Sequence, residues 1–455
     1  MAVRSLAGRV VIIGAGLAGS LMAIYLARRG HEVEVYERRP DPRLRSSADG
    51  RRSINLGLSQ RGMNALREVG LLDEVRTRTV PMRGRVIHSA DGSLAFQPYG
   101  RDDGEALHSI LRNDLNVALV ERAESHPTVR FHFRHTLRRL VKEKPLVEVV
   151  DEERGHARQV MADLVIGADG AFSTVRAQMH HRERADYRQE FLDWGYKELT
   201  IPAAADGAAR TELFGLHVWP GGRGLMVAHP NVDHSLTCTV FLPLHGPDSF
   251  ASLDTPAAVR DFFAGHFPDV PALVPDLATE FLAHPVGTLV SIRTSPWHHE
   301  DRVVLIGDAC HAVYPFYGQG MNAAFEDCTV LDRCLARHPE DRAAALAEYQ
   351  ALRKPHTDVL ADLSAQNFVE LRDRLRSPWF LVRKRADLVL HRFLPRHWVP
   401  LYTMIAHRTV PYAEALRRAR RQDRILRWAA TLLVVAVCGA ALSGAAAALD
   451  AVHLP

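Results

Sequence analysis

Cysteine is scarce in this chain: five among 455 residues, Cys238, Cys310, Cys328, Cys334 and Cys438, with no CxxC pair. A scattered, odd set excludes a disulfide framework and a thiolate metal site, and it suits reduced thiols inside a cell. Excess charge is lacking too. Lys+Arg number 57 against 53 Asp+Glu, for a net charge of +4. With no basic face bearing interleaved aromatics, nucleic acid is not an expected partner. No secretory leader is expected, because the first apolar run, Arg9-Val10-Val11-Ile12-Ile13, leads straight into the glycines of a tight turn. No internal repeat stands out, and the length suits two or three substructures on well-formed cores.

What is present starts with that turn. Arg9–Ile13 reads as a buried parallel strand, Gly14-Ala15-Gly16-Leu17-Ala18-Gly19 follows, and Leu21, Met22, Ile24, Tyr25 and Leu26 continue as a helix ended by Gly30. His31–Tyr36 reads as the second strand, closed by Glu37. This is the dinucleotide fingerprint in its strand–turn–helix–strand context. Gly14 makes the tight turn, Gly16 lets the backbone approach a pyrophosphate, and Gly19 lets helix and sheet pack closely. Glu37 is placed to accept hydrogen bonds from ribose hydroxyls. The motif alone does not separate FAD from NAD.

A second segment does. Asp301-Arg302-Val303-Val304-Leu305-Ile306-Gly307-Asp308 is an apolar strand running into Gly-Asp, and Gly318-Gln319-Gly320-Met321-Asn322 follows a Pro-aromatic stretch. The Asp308 carboxylate suits a ribitol or ribose hydroxyl. A helix opening at Gly320 offers free N–H groups to pyrophosphate or to a flavin carbonyl. Two contacts so far apart in sequence suit a large cofactor spanning the domain, which favours FAD. Only one fingerprint is visible, so no second Rossmann domain for a nicotinamide is expected.

The layout predicts an α/β protein: a Rossmann-like FAD-binding domain, an inserted antiparallel substrate sheet and a helical C-terminal region. The FAD-binding domain is expected to be discontinuous, over 1–190 and 285–335, with substrate strands near 83–99. The substrate sheet is expected over 191–284 and the helical region over 336–427. Ile110–Ala123 reads as a helix containing Arg112. Residues 428–449, Trp428 to Leu449, carry no charge, and Arg417, Arg418, Arg420, Arg421, Arg424 and Arg427 precede them. At the helical rise this run reaches roughly 33 Å, enough to cross a bilayer core. The arginines would keep the main domain cytoplasmic, so the expectation is a membrane-anchored protein. The competing reading is an alanine-rich helix packed on the catalytic domain.

Further motifs are Gly167-Ala168-Asp169-Gly170 with Ser173 and Arg176; Arg52-Ser53-Ile54-Asn55-Leu56 with Leu58-Ser59 and Arg61-Gly62; Met82-Arg83-Gly84-Arg85; Gln97-Pro98-Tyr99-Gly100; Phe325-Glu326-Asp327-Cys328; and Pro400-Leu401-Tyr402. With the fingerprint and Gly307-Asp308, these residues resemble the single-component FAD-dependent aromatic hydroxylases, and within them the kynurenine 3-monooxygenase branch. The resemblance covers the chain to about residue 412. It implies bound FAD, NADPH as co-substrate, dioxygen, and hydroxylation of L-kynurenine to 3-hydroxy-L-kynurenine through a flavin C4a-hydroperoxide. That reaction belongs to tryptophan degradation, on the route to quinolinate and NAD. No catalytic side chain is implied, because the flavin carries the chemistry.

The resemblance also implies site residues. Arg85, Tyr99, Asn367 and Tyr402 correspond to contacts with the substrate carboxylate, which a planar guanidinium binds through paired charge-assisted hydrogen bonds. Gly14, Gly16, Ala18, Gly19, Glu37, Arg39, Gly57, Arg112, Leu137, Asp308, Gly320, Met321 and Asn322 correspond to cofactor contacts. Leu137 would touch the adenine by packing or backbone alone. Each has a structural rival: Arg85 a solvated charge, Tyr99 a turn aromatic, Tyr402 a packing residue, Arg112 a surface ion pair. Asp169 and Arg176 serve either a cofactor contact or the turn itself. Tyr317 stands where the family has a second phenylalanine, and Cys310 and Tyr314 also depart from it. Two other readings stay open: a hydroxylase of another anionic aromatic substrate, and a membrane-tethered flavin redox sensor that turns over nothing.

Overall fold

Val10 to Ile13 can be apolar at every position because the strand Arg9–Ile13 is flanked on both sides. It pairs in parallel with Leu164–Gly167 and with Glu32–Glu37. A parallel strand covered on both faces reads as a continuous apolar run rather than an alternating one. The computed structural model describes residues 8–44, 54–100, 104–373 and 378–452, apart from the side chains of 378–381, 430, 433, 434, 437 and 440–452. Arg52 and Ser53 lie outside the described residues.

The central sheet has six strands in the order His298–His299, Val303–Leu305, Leu164–Gly167, Arg9–Ile13, Glu32–Glu37 and Val129–Phe133. Its neighbours run parallel except at the His298–His299 edge. The helix Leu17–Arg28 packs against Arg112–Glu124 and Gly320–Arg337. A second sheet has seven strands, ordered Gly287–Ser295, Asp186–Ile201, Leu236–Pro243, Leu225–Pro230, Gly215–Pro220, Gly84–His88 and Leu94–Pro98. Its outer face is covered by Pro256–His266, Val270–Leu273 and Leu277–Ala283, which bury Phe262, Phe263, Phe267 and Phe281 against Trp219, Met226 and Val240. The expected α/β class with an inserted sheet therefore holds.

Two details differ from expectation. The inserted sheet is mixed, because Gly215–Pro220 runs parallel to Gly84–His88. Residues 89–214 separate these strands, so no hairpin imposes an antiparallel pairing. The helix expected over Ile110–Ala123 begins at Arg112, since Leu107–Leu111 is a strand whose Ile110 and Leu111 pair with Leu56 and Asn55.

Beyond the sheets the chain is helical, with Gly320–Arg337, Arg342–Arg372, Pro378–Phe393, Leu401–Ala406 and Tyr412–Val452. The expected membrane span within the last helix is not found: among the described residues no helix is long and apolar enough to cross a membrane. Within the uncharged run, the side chains of 430, 433, 434, 437 and 440–449 lie outside what is described.

Candidate functional site

The fingerprint turn is shaped by what its glycines would otherwise strike. Gly14 has φ +108°, and a Cβ there would sit 2.4 Å from the Ala168 carbonyl oxygen. A Cβ on Gly19 would sit 2.0 Å from the Gly14 carbonyl oxygen. Gly16 is different: a Cβ there meets nothing within 4 Å. It faces a cleft also lined by Ala15, Glu37, Arg39, Arg112 and Asn116. Two glycines thus serve packing, and the third leaves backbone open to a ligand.

Glu37 is buried at the cleft floor and accepts hydrogen bonds from the backbone N–H groups of Ala15 and Arg39, each at 2.9 Å. Its carboxylate also pairs with Arg39 Nε at 3.0 Å. Burial opposes its charge, but Arg39 and these N–H donors hold its pKa below the ordinary carboxylate value. Arg112 opens its helix at the cleft rim and is exposed there. Its structural rival, a surface ion pair, is not seen among the described residues.

A further candidate element, outside the residues that line this cleft, is the start of the helix Gly320–Arg337. Its first turn leaves the N–H groups of Gly320, Met321 and Asn322 without intrahelical acceptors, at the positive end of an 18-residue helix. The Asn322 side chain is a clamp: its Nδ2 donates to the Gly57 and Gly318 carbonyls at 2.9 and 3.0 Å, and its Oδ1 accepts from Ser59 N–H at 2.9 Å. Gly57 is therefore fastened directly beneath the helix start. Asp308 follows Gly307 out of the parallel sheet and is exposed. A Cβ on Gly307 would lie 3.3 Å from that of Ala18, which brings Ala18 and Asp308 to one place. Gly-rich approach, acidic floor, cationic rim and open helix start together fit a dinucleotide as long as FAD.

Leu137 is not brought to this cleft. Its side chain is 6 % exposed in the main core beside Leu140, Val147 and Val149. Along the strand His135–Val141 it points inward, and its backbone is paired with Val149. Asp169 and Arg176 take the structural alternative. Asp169 accepts from Thr174 and Val175 N–H at 2.7 and 3.1 Å and so caps the short helix Thr174–Met179. Arg176 donates to the Ala309 and Ala171 carbonyls, both at 2.7 Å.

A second group lies on the inserted sheet. Arg85 is buried, with its Nε lacking any hydrogen-bond partner. Its guanidinium carbon stands 5.8 Å from the Tyr99 ring centre and 5.5 Å from that of Tyr402. The two rings stack at 5.1 Å. Tyr99 Oη is likewise buried without a partner. Burial raises the pKa of both phenols, so each stays a neutral O–H donor. A guanidinium N–H and a phenol O–H left unmet side by side are costly, unless an acceptor joins them.

Asn367 reaches this region indirectly. Its Nδ2 donates to the Phe316 carbonyl at 2.6 Å, which fixes the turn Pro315–Tyr317. Tyr317 is buried with its ring 5.8 Å from Tyr402. Sequence reasoning passed over Gln97. It sits directly across from Arg85 in the sheet, hence on the same face, and its Oε1 is buried without a partner. The signal was available, since Gln97 belongs to the quoted stretch Gln97-Pro98-Tyr99-Gly100, but only the strand register gives it a position.

Residues 8–246 and 274–364 match the protein family described as FAD binding domain. The chain is 61 % identical over 437 residues to the kynurenine 3-monooxygenase of Salinispora arenicola, covering 96 % of each sequence. It is 44 % identical to that of Myxococcus xanthus, over 92 % of this chain and 89 % of the relative. Among solved structures it is similar to a tetrameric 2-methyl-3-hydroxypyridine-5-carboxylic acid oxygenase, with a TM-score of 0.66 and 21 % identity over 83 % of this chain and 96 % of the other. It is also similar to P. aeruginosa PqsL in complex with 2-aminobenzoylacetate, with a TM-score of 0.65 and 23 % identity over 82 % of this chain and 99 % of that one. At such identities the solved structures speak for the fold alone.

Proposed function

Because the chain belongs to the kynurenine 3-monooxygenase family, within the FAD-dependent aromatic hydroxylases, we propose that it converts L-kynurenine to 3-hydroxy-L-kynurenine with NADPH and dioxygen. The observation that carries this reading is the pair of unmet buried donors, Arg85 Nε and Tyr99 Oη, framed by Tyr402. A carboxylate supplies the acceptor that both lack. Kynurenine also carries an ammonium group, and the unpartnered Gln97 Oε1 on the same sheet face offers it an acceptor.

FAD, reduced by NADPH, supplies the oxygen activation when bound. Gly16 would receive its pyrophosphate beside the tight turn that Gly14 makes, with Arg112 at the rim. Glu37 would hold the ribose hydroxyls, and Asp308 the ribitol. The open N–H groups of Gly320, Met321 and Asn322 would favour negative charge on the reduced ring. The remaining side chains bind and orient. Arg85, Tyr99 and Tyr402 hold the acid end, Asn367 steadies the turn at Phe316, and Phe316 with Tyr317 keeps water from the ring. No protein base is needed for a ring already activated by its amino group.

The test is NADPH oxidation with L-kynurenine and mass analysis of the product. A gain of one oxygen supports the reading. Oxygenation of other aromatic acids only would favour the broader hydroxylase, and FAD binding without any oxygenated product would favour a redox sensor. A second proposal concerns location. Ile425, Trp428, Leu432 and Val435 are all more than half exposed on the last helix, at a spacing that makes one apolar stripe. The arginines from Arg417 to Arg427 lie beside it. Such a helix suits attachment to an anionic membrane surface, with the catalytic domain on the cytoplasmic side. Fractionation with and without residues 428–455 decides it.

A further inference from the structure

Beneath the proposed cofactor site lies a buried charge array that none of the residues named above accounts for. Asp327, in the second turn of the helix Gly320–Arg337, has no exposed surface. Its Oδ2 accepts from the Gly307 backbone N–H at 3.0 Å and meets His311 Nε2 at 2.5 Å. Its Oδ1 accepts from Arg353 Nε at 2.7 Å. Arg353, equally buried, also donates to the Ala323 carbonyl at 3.1 Å and pairs with Glu326, which is met in turn by Arg61 Nη1 at 2.5 Å. Cys310, His311 and Asp327 come within 4.8 Å of one another, a spacing that could hold a metal ion. The carboxylate, however, is already engaged by Arg353, His311 and Gly307, so the cluster acts as an ion-pair network.

The position of this network matters more than its strength. Gly307 adopts φ +61°, ψ −140°, which favours glycine, and a Cβ there would meet those of Ala324 and Ala18 at 3.2 and 3.3 Å. Its N–H is the inward anchor of the turn. His311 closes the four-residue helix Asp308–His311 that follows. Asp327 thus grips the segment 307–311 at both ends, while Asp308 between them faces outward. We propose that Asp327, held by Arg353, is a positioning residue for the cofactor: it fixes from behind the direction in which Asp308 meets the ribitol of FAD. The same helix already clamps Gly57 and Ser59 through Asn322. Its first two turns would therefore set both walls of the flavin site.

The inference rests on the flavin-binding family and not on the identity of the substrate, so the two fail separately. Asp327→Asn keeps the size but turns an NH2 group toward existing N–H donors. The expected result is a dissociation constant for FAD about tenfold or more above wild type, from loss of charge-assisted hydrogen bonds. A shifted flavin absorption band should accompany it, and KM for L-kynurenine at saturating FAD should not change. Arg353→Lys keeps the charge beside Asp327 and should restore most of the affinity lost in Arg353→Met. An ion pair away from the site, between buried Lys142 and exposed Glu183, is the control: Lys142→Met should lower the melting temperature and leave FAD affinity alone. If Asp327→Asn does not fold, the Arg353 pair carries the test. Should the folded variants only melt earlier, with FAD affinity and spectrum unmoved, Asp327 serves the fold alone and the proposal is wrong.

Discussion

Replacing Arg85 by methionine probes substrate recognition most directly, because the structure predicts a large effect on binding and a small one on stability. The guanidinium is buried, its Nε is unpartnered, and the nearest groups are the faces of Tyr99 and Tyr402. In the ligand-free protein burial opposes its charge, and Tyr99, Tyr402 and Glu370 offset that cost. Methionine has a similar stem and no charge, so Arg85→Met should change the melting temperature little. With substrate present the loss is much larger. A guanidinium–carboxylate pair forms two charge-assisted hydrogen bonds, each worth roughly 1.5–3 kcal/mol. Losing about 3 kcal/mol or more raises KM for L-kynurenine on the order of a hundredfold or beyond. The assays are NADPH oxidation across a substrate series, thermal unfolding, and the flavin content of the purified protein. A variant that loses FAD, or one whose KM moves less than about threefold, which is under 1 kcal/mol, would show that Arg85 does not hold the substrate.

The other predictions probe the two ends of the site and the sheet between them. Gly16→Ala should fold as wild type, since a Cβ there meets nothing, yet weaken FAD about tenfold or more by standing between backbone and pyrophosphate; unchanged FAD affinity would remove the cleft from the cofactor path. Gln97→Leu should raise KM for kynurenine several-fold while leaving an analogue without the α-amino group unaffected, as loss of one hydrogen bond to an ammonium implies; equal effects on both substrates would separate Gln97 from the ammonium. His217 has no exposed surface, accepts from His88 at 2.8 Å and donates to the Glu212 carbonyl at 2.6 Å, and burial lowers its pKa to about 4. A folded-state value below the unfolded one, near 6.5, means stability present above that pH and lost as pH falls toward 4, by on the order of 3 kcal/mol. Denaturant titrations from pH 7 to 4 should show a steeper loss in wild type than in His217→Gln, and identical slopes would exclude His217 as a cause.

The N-terminal unit was legible because its determinants are local. The strand Arg9–Ile13 begins and ends where the apolar run does, and Gly14, Gly16, Gly19 and Glu37 stand at fixed offsets from it. The site on the inserted sheet is harder to read, because it exists only through register. Arg85 and Gln97 share a face by virtue of one antiparallel pairing, and Tyr402 arrives from a helix far along the chain. No periodicity within the stretch 83–99 encodes either fact. Leu137 shows a related difficulty: a leucine within a strand looks the same whether its side chain faces the core or a ligand, and here the side chain faces the core, which leaves only its backbone for a cofactor contact. Asp169 looked equally suited to a ligand and to a turn until its carboxylate was found on the N–H groups of Thr174 and Val175.

Asp327 lies at the far edge of what sequence can disclose. The stretch Phe325-Glu326-Asp327-Cys328 was recognisable as part of a family pattern, but a carboxylate in a helix reads as solvated. Only the fold shows that it is wholly buried and that its partners come from two distant places, Gly307 and His311 at the ends of the segment 307–311 and Arg353 on the helix Arg342–Arg372. A buried carboxylate with three donors is weak evidence for stability, since an apolar substitute of equal volume is often as stable. The physical case for it is therefore directional. An apolar residue at 327 could fill the space but could not hold the Gly307 N–H and the His311 ring at once. The segment carrying Asp308 would then lose its two inward anchors and keep only Arg176 on the Ala309 carbonyl and its own backbone bonds.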